Sequence, residues 1–141
     1  MEMIGFFQEM HSGGSEVFHE SIKGKVRSQT SYPKSKIVGY LQSGYPIFDI
    51  METTSDVIEK SFQIPGGSSL MSDGQFVWRL DLAAYVETYN IDLPSRFLSF
   101  VIENEFSVPS VSRQRLLTIS IAAGNALGFH VDGGAGRKAG T

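Results

Sequence analysis

The sequence predicts an α+β fold, with a short sheet packed against a helical hairpin in a single compact domain. Three observations indicate this class. An Asp-Gly turn at Asp73 and Gly74 separates the apolar pair Leu70-Met71 from an aromatic strand. Two amphipathic helical patterns follow that strand without a gap. The chain has 141 residues, 41% of them apolar, which is enough to fill one core, and we place the domain at residues 1–128.

The N-terminal third is the least regular part of the chain. IGFFQEM, at residues 4–10, is typical of a short helix. Residues 25–45 fit two short extended pieces around a turn at Pro33. Ile37 to Leu41 equally fits a helix that ends at Gly44, so both interpretations stay open.

Two features precede the Asp-Gly turn. The segment from Ile47 to Met51 has the alternating pattern that is typical of a strand. A short helix or extended piece around Val57 and Phe62 then leads to a turn at Pro65-Gly66-Gly67.

The aromatic strand begins after the turn. With a period of two, Phe76 and Trp78 share one face, while Val77 and Arg79 share the other. We expect the aromatic pair to lie over the core and Arg79 to reach an acid or solvent. The Asp-Gly dipeptide is expected to supply positive φ at both central positions of the turn.

The first helical pattern follows Asp81, which we interpret as an N-cap or first-turn acid. Asn90 is expected to close this helix in a left-handed conformation. Four residues at helical spacing form one stripe that should be buried: Leu82, Tyr85, Val86 and Tyr89.

The second helix is expected from about Ser95 to Glu105, with Pro94 setting its first turn. Its apolar face should be formed by Phe97, Leu98, Val101 and Ile102. Neither stripe is stable in water alone, so the two helices should pack as a hairpin on the aromatic strand.

The C-terminal part contains an ambiguous segment and a tail. Residues 110–128 fit either a helix or a strand, and periodicity does not decide between them. Residues 129–141 are rich in glycine and are expected to form a flexible tail. Lys138 lies between Arg137 and Ala139, so the tail lacks the spacing of a phosphate-binding loop.

Charge and composition exclude several classes of function. A net charge of −3 gives no general attraction to nucleic acid or to an anionic membrane. The chain has no cysteine, which excludes disulfides and thiol chemistry. Residues 1–10 contain Glu2 and Glu9 but no basic segment, so we expect no secretory signal and a cytoplasmic protein.

The residues that usually carry chemistry are not arranged for it. His11, His19 and His130 are far apart and form no metal-binding motif. Ser72 and Ser110 lack the glycines of a nucleophile elbow. We therefore expect no catalytic residue, no metal and no cofactor, and we do not expect an enzyme.

Several short motifs occur together in one order. YLQSGYPI begins at Tyr40, SDGQFVWR follows at residue 72, and DLAAYVETYNIDLPSRFLSFV begins at Asp81. Over residues 37–109 this order resembles a family of small bacterial proteins, the immunity proteins encoded beside polymorphic or contact-dependent growth-inhibition toxins. The chain departs from the family pattern at Ser72, Arg79 and Ala84, where Thr, Pro and an aromatic residue are usual.

The resemblance implies a protein that binds and neutralises a cognate bacterial toxin by protein–protein contact. The candidate contact residues are acids outside the apolar stripes: Asp49, Glu52, Asp56 and Glu59. The alternative is a small ligand-binding module or enzyme with a pocket built from Tyr40, Tyr45, Trp78 and Arg79. The identity of the toxin and the oligomeric state stay open.

Overall fold

The fold is organised around a small mixed sheet. The computed structural model describes residues 1–10 and 17–129. The strands in this part are β1 (Glu2–Met3), β2 (Tyr45–Phe48), β3 (Thr53–Ser55), β4 (Gln63–Pro65), β5 (Leu70–Ser72) and β6 (Phe76–Arg79). The α-helices are α1 (Lys34–Gln42), α2 (Leu82–Tyr89), α3 (Ser95–Glu103) and α4 (Arg113–Ala126). The α+β class is therefore confirmed.

Four strands form the main sheet in the order β1-β6-β5-β2. β1 runs parallel to β6, and the other neighbours are antiparallel. β3 and β4 pair separately as a two-stranded hairpin. The expected hairpin of β5 and β6 is confirmed, with Met71 opposite Trp78 and Ser72 opposite Val77.

The turn between β5 and β6 differs from the prediction at one position. Gly74 has φ +96°, but Asp73 is not left-handed. The Asp73 carboxylate instead accepts hydrogen bonds from the backbone N–H groups of Gln75 and Phe76, at 2.9 and 2.7 Å. Asp73 thus stabilises the turn through its side chain.

β6 is buried on both faces. Phe76 and Trp78 lie in the larger core, and the ring of Phe97 from α3 packs within 5.3 and 5.7 Å of their rings. Val77 lies in a smaller core on the other face, with Leu70 and with Ile119 of α4. The sheet is therefore covered by helices on two sides.

The predicted α2 stripe is confirmed, because Leu82, Tyr85, Val86 and Tyr89 are all buried. Asn90 ends the helix with φ 53° and ψ 47°, as expected. The helix that packs closely beside α2 is α1, whereas the sequence pattern favoured α3. The helical pair on the sheet is thus formed by elements far apart in the chain.

α3 shows a narrower buried face than predicted. Phe97 and Val101 are fully buried, but Ile102 is 58% exposed. The helix also ends at Glu103, two residues before the predicted position. Leu98 and Phe100 are partly buried and pack against the same core, so Ile102 is the predicted face residue that the structure leaves exposed.

The structure decides between the open alternatives. The segment after Pro33 forms the helix α1, and most of residues 110–128 form the helix α4. The helical alternative is therefore the correct one in both places. The short helix expected at residues 4–10 is limited to a single 3₁₀ turn, Gln8–Met10. Most of the predicted tail, residues 130–141, lies outside the described residues. Among the helices described, none combines the length and apolarity needed to span a bilayer.

Candidate functional site

The four predicted contact acids lie between the end of β2 and the start of β4, and the structure separates them into two groups. Asp49, Glu52 and Glu59 are exposed. Asp56 is only 1% exposed. A side chain that is covered to this degree does not present its charge to a partner, so Asp56 has a different role.

Asp56 organises the turn between β3 and β4. Its Oδ1 accepts a hydrogen bond from the Ile58 N–H at 2.8 Å. Its Oδ2 accepts from the Ser61 N–H at 2.9 Å, from the Ser61 hydroxyl at 2.8 Å, and from the Tyr89 hydroxyl. Tyr89 belongs to α2, so this one carboxylate ties the β3–β4 turn to the helical layer.

The network also determines the charge of Asp56. Burial acts to raise its pKa, but the hydrogen bonds from Tyr89, Ser61 and Ile58 outweigh burial and lower the pKa overall. The prediction that Asp56 is a partner contact is corrected on these grounds. Its bond to Ile58, two residues ahead, is an Asx turn, which a sequence pattern can suggest, but the bond to Tyr89 joins residues 33 apart.

A second buried group fastens β3 to the end of β6. Arg79 donates from Nε and Nη2 to the two carboxylate oxygens of Asp81, at 3.1 and 2.8 Å. The Thr54 hydroxyl of β3 also donates to Asp81, at 2.8 Å. Burial raises the pKa of the Asp81 carboxyl, and the Arg79 charge and these hydrogen bonds oppose that rise.

This arrangement tests two predictions about the strand and helix ends. Asp81 occupies the predicted N-cap position of α2, but its side chain makes no capping hydrogen bond. The predicted N-cap position is therefore confirmed, but the side chain does not cap the helix, because its carboxylate binds Arg79 and Thr54. The prediction that Arg79 reaches an acid is confirmed.

A third group of contacts holds the segment Asp49 to Glu52, which we call the 49–52 loop. Ser69 is buried, and its hydroxyl accepts from the Ile50 N–H at 2.8 Å and contacts the Ile50 carbonyl oxygen at 3.2 Å. The Gly66 N–H donates to the Glu52 carbonyl oxygen at 2.7 Å. The Ser68 hydroxyl donates to the Glu52 carboxylate at 3.0 Å.

The anchored loop presents an unusual surface. Met51 is 95% exposed, and it stands between two exposed acids, Asp49 and Glu52. The backbone on both sides of Met51 is fixed by the Ser69 and Gly66 contacts. The structure therefore fixes the loop backbone and the Glu52 carboxylate, and it leaves the Met51 side chain open to solvent between two acids. The sequence pattern identified the two acids but not Met51.

A cleft of about 570 Å³ lies beside this loop. It runs between the N-terminal segment, the β2–β3 region and the end of α4. Its lining includes the carboxylates of Glu9 and Glu52 and the side chain of Arg79. Several apolar side chains also line it: Phe6, Met10, Phe18, Leu127 and Phe129. Four other clefts on the described residues have volumes of about 330–460 Å³, so the chemistry of its lining distinguishes this cleft and its volume does not.

Glu9 is held within the wall of this cleft. Its carboxylate accepts hydrogen bonds from the Ser21 hydroxyl and from the Ile22 N–H, the latter at 2.9 Å. Burial acts to raise its pKa, but these hydrogen bonds and the charge of Lys23 lower the pKa overall. Glu9 is therefore an ionised carboxylate at neutral pH. No motif in the sequence predicted its hydrogen bonds with Ser21 and Ile22.

The pocket proposed as the alternative is not formed by its predicted residues. Tyr40 and Trp78 are each 1% exposed. The Tyr40 hydroxyl donates to Asp73 at 2.7 Å, and the Trp78 indole N–H donates to the Leu41 carbonyl at 3.1 Å. Tyr45 donates to the Pro109 carbonyl at 3.1 Å. These side chains therefore belong to the scaffold, and of the four predicted residues Arg79 contributes to the cleft.

The described residues 1–10 and 17–129 contain no cluster of three or more His, Asp or Glu side chains that could hold a metal ion. His19 is exposed, whereas His11 and His130 lie outside the described residues. No protein-family model, curated protein or solved structure matches this chain.

Proposed function

We propose that this chain is an immunity-type protein that binds a cognate bacterial toxin in the cytoplasm and neutralises it by protein–protein contact. The order of motifs over residues 37–109 suggests this class. The observation that carries the proposal is the 49–52 loop, which is anchored at both sides and displays Met51 between two acids.

Each part of this surface favours protein binding for a physical reason. A loop that is already fixed loses little conformational freedom when a partner docks. Methionine is enriched at protein interfaces, and a Met51 side chain that is 95% exposed has nearly all of its apolar area available for burial. The carboxylates of Asp49 and Glu52 favour a basic partner surface and accelerate encounter with it.

The direct test is binding of the purified toxin domain encoded beside this gene, measured by titration calorimetry. We expect a dissociation constant in the nanomolar range. Met51→Ala should weaken binding by about tenfold or more, which corresponds to at least about 1.4 kcal/mol. Asp49→Asn with Glu52→Gln should mainly slow association, and the slowing should fade at high salt.

The matched control is Glu103→Gln, which removes one exposed charge on α3 and should leave binding unchanged. Failure of the toxin domain to bind the wild-type protein would count decisively against the proposal. Equal affinities for wild type and Met51→Ala would instead exclude the 49–52 loop as the contact surface.

The second candidate function is binding of a small molecule, and the cleft of about 570 Å³ is the observation that favours it. A small ligand that fills the cleft would raise the melting temperature without any protein partner. A thermal-shift screen against metabolites therefore separates the two functions, since a toxin inhibitor needs no such stabilisation.

A further inference from the structure

The cleft beside the 49–52 loop has a net negative lining. Glu9 and Glu52 both contribute carboxylates to it. Arg79 also lines the cleft, but Asp81 matches its charge with a two-point ion pair at 2.8 and 3.1 Å. Among the described residues that line the cleft, the charge left to act on a ligand is that of the two glutamates, so these residues disfavour an anion and favour a cation.

The two glutamates come from different parts of the chain, and each is positioned by neighbouring groups. Ser21 and Ile22 hold the carboxylate of Glu9, and Ser68 holds that of Glu52. Positioned carboxylates lose little side-chain freedom when they bind a cation, and hydrogen bonds between charged groups are stronger than neutral ones.

The remaining lining combines hydroxyl-bearing residues with seven apolar side chains, three of which are phenylalanines. The hydroxyl-bearing residues are Thr53, Thr54, Ser55 and Ser68. Phe6 is 5% exposed and contacts Phe18 edge to face, with ring centroids 5.5 Å apart, so Phe18 is the more accessible of these two rings. Phe129 is 38% exposed and also lines the cleft. Aromatic faces attract cations, and they stack on a planar guanidinium better than they accommodate the strongly hydrated ammonium of lysine.

We propose that this cleft receives an arginine side chain of the partner protein, with its guanidinium between Glu9 and Glu52 and its stem against the phenylalanines. The proposal rests on the proposed function, because it names the chemistry by which a toxin would be recognised next to Met51. The cleft would then act as the anchor pocket of the interface and the 49–52 loop as its adjoining contact.

The test uses a defined probe, the peptide acetyl-Gly-Arg-Gly-amide, titrated into the ¹⁵N-labelled full chain. We expect saturable shifts of the amide signals of residues 50–55 and 68, with a dissociation constant of about 1–10 mM, typical of one isolated side chain. The same peptide with citrulline is the matched probe, because it keeps the shape of arginine and removes its charge. It should bind at least about tenfold more weakly, since a charge-assisted hydrogen bond is replaced by a neutral one.

Two variants assign the binding to the cleft. Glu52→Gln should weaken the arginine peptide by about fivefold or more, because it removes one of two carboxylates. Glu59→Gln removes an exposed charge that does not line the cleft, and it should leave the affinity unchanged.

Three results would overturn the inference: no saturable shift, equal binding of the citrulline peptide, or shifts confined to other surfaces. The toxin titration keeps this failure separate from failure of the proposed function. A toxin that binds wild type and Glu52→Gln equally, while the peptide does not bind, refutes the arginine pocket and leaves neutralisation intact. A peptide that binds while the toxin does not supports the pocket and contradicts the proposed function.

Discussion

Replacing Asp56 by alanine tests whether this residue is a buried anchor or a surface acid. The substitution removes a carboxylate that accepts four hydrogen bonds, from Ile58, from the backbone and hydroxyl of Ser61, and from Tyr89. Ser61 is exposed, so its two donors can turn to water. Tyr89 is 8% exposed, and its hydroxyl keeps only the longer contact with the Ser61 hydroxyl, at 3.3 Å.

The expected cost follows from these differences in exposure. Hydrogen bonds to a charged group contribute roughly 1.5–3 kcal/mol when the donor stays buried, and about 0.5–1 kcal/mol when water replaces the acceptor. Asp56→Ala should therefore lower the free energy of unfolding by about 3–6 kcal/mol. In a domain of this size that loss lowers the melting temperature by roughly 10–20 °C.

The assay is urea unfolding followed by the fluorescence of Trp78, which is the single tryptophan and is 1% exposed in the folded chain. Glu59→Ala is the control, because Glu59 is an exposed acid three residues away, and its loss should change stability by less than about 0.5 kcal/mol. Equal midpoints for Asp56→Ala and Glu59→Ala would show that Asp56 is a solvated acid and not a buried anchor.

Three further predictions use the same unfolding assay. Arg79→Ala leaves the buried Asp81 carboxylate without its ion-pair partner and should cost about 3–5 kcal/mol, whereas the double variant Arg79→Met with Asp81→Leu should recover most of that loss. Gly67→Ala places a Cβ 1.8 Å from the Thr54 hydroxyl and should destabilise the chain, whereas Gly39→Ala meets no atom within 4 Å in α1 and should stabilise it by up to about 1 kcal/mol. Burial acts to raise the pKa of Asp56, but its hydrogen bonds lower the pKa below 3.8 in the folded state. The stability that the Asp56 carboxylate contributes is therefore complete above pH 3.8. That stability is lost as the pH falls through the lower folded-state pKa. Asp56→Asn should flatten the decline of the urea midpoint below about pH 4, and an unchanged decline would contradict this assignment.

Local chemistry predicted much of the scaffold. The β5–β6 hairpin, the α2 stripe and the left-handed Asn90 depend on residues close together in the sequence. The residue pattern within a single segment is therefore enough to predict these features. The choice between helix and strand for residues 110–128 required tertiary packing, since Ile119 is buried against Leu70 and Val77 of the sheet.

The candidate site was harder to predict, because its four acids are similarly spaced in the sequence. They differ in the residues that they contact in the folded chain. Asp49, Glu52, Asp56 and Glu59 follow one another along a polar segment. Of these four acids, only Asp56 accepts a hydrogen bond from a hydroxyl of α2, that of Tyr89. This long-range contact makes Asp56 a buried structural residue and not a surface contact. Glu9 was overlooked for the same reason, because the cleft joins it to Glu52 across more than forty positions of the chain.

Hydrogen bonds from Ser69, Gly66 and Ser68 hold the 49–52 loop in the form in which we propose that it binds a toxin. Amide hydrogen exchange of the chain, measured with and without the toxin domain encoded beside its gene, tests this claim most directly. We expect the Ile50 and Gly66 amides to be protected already in the free protein, and toxin binding to slow exchange further across residues 49–54. Rapid exchange at both amides in the free protein, or toxin protection confined to other surfaces, would contradict it.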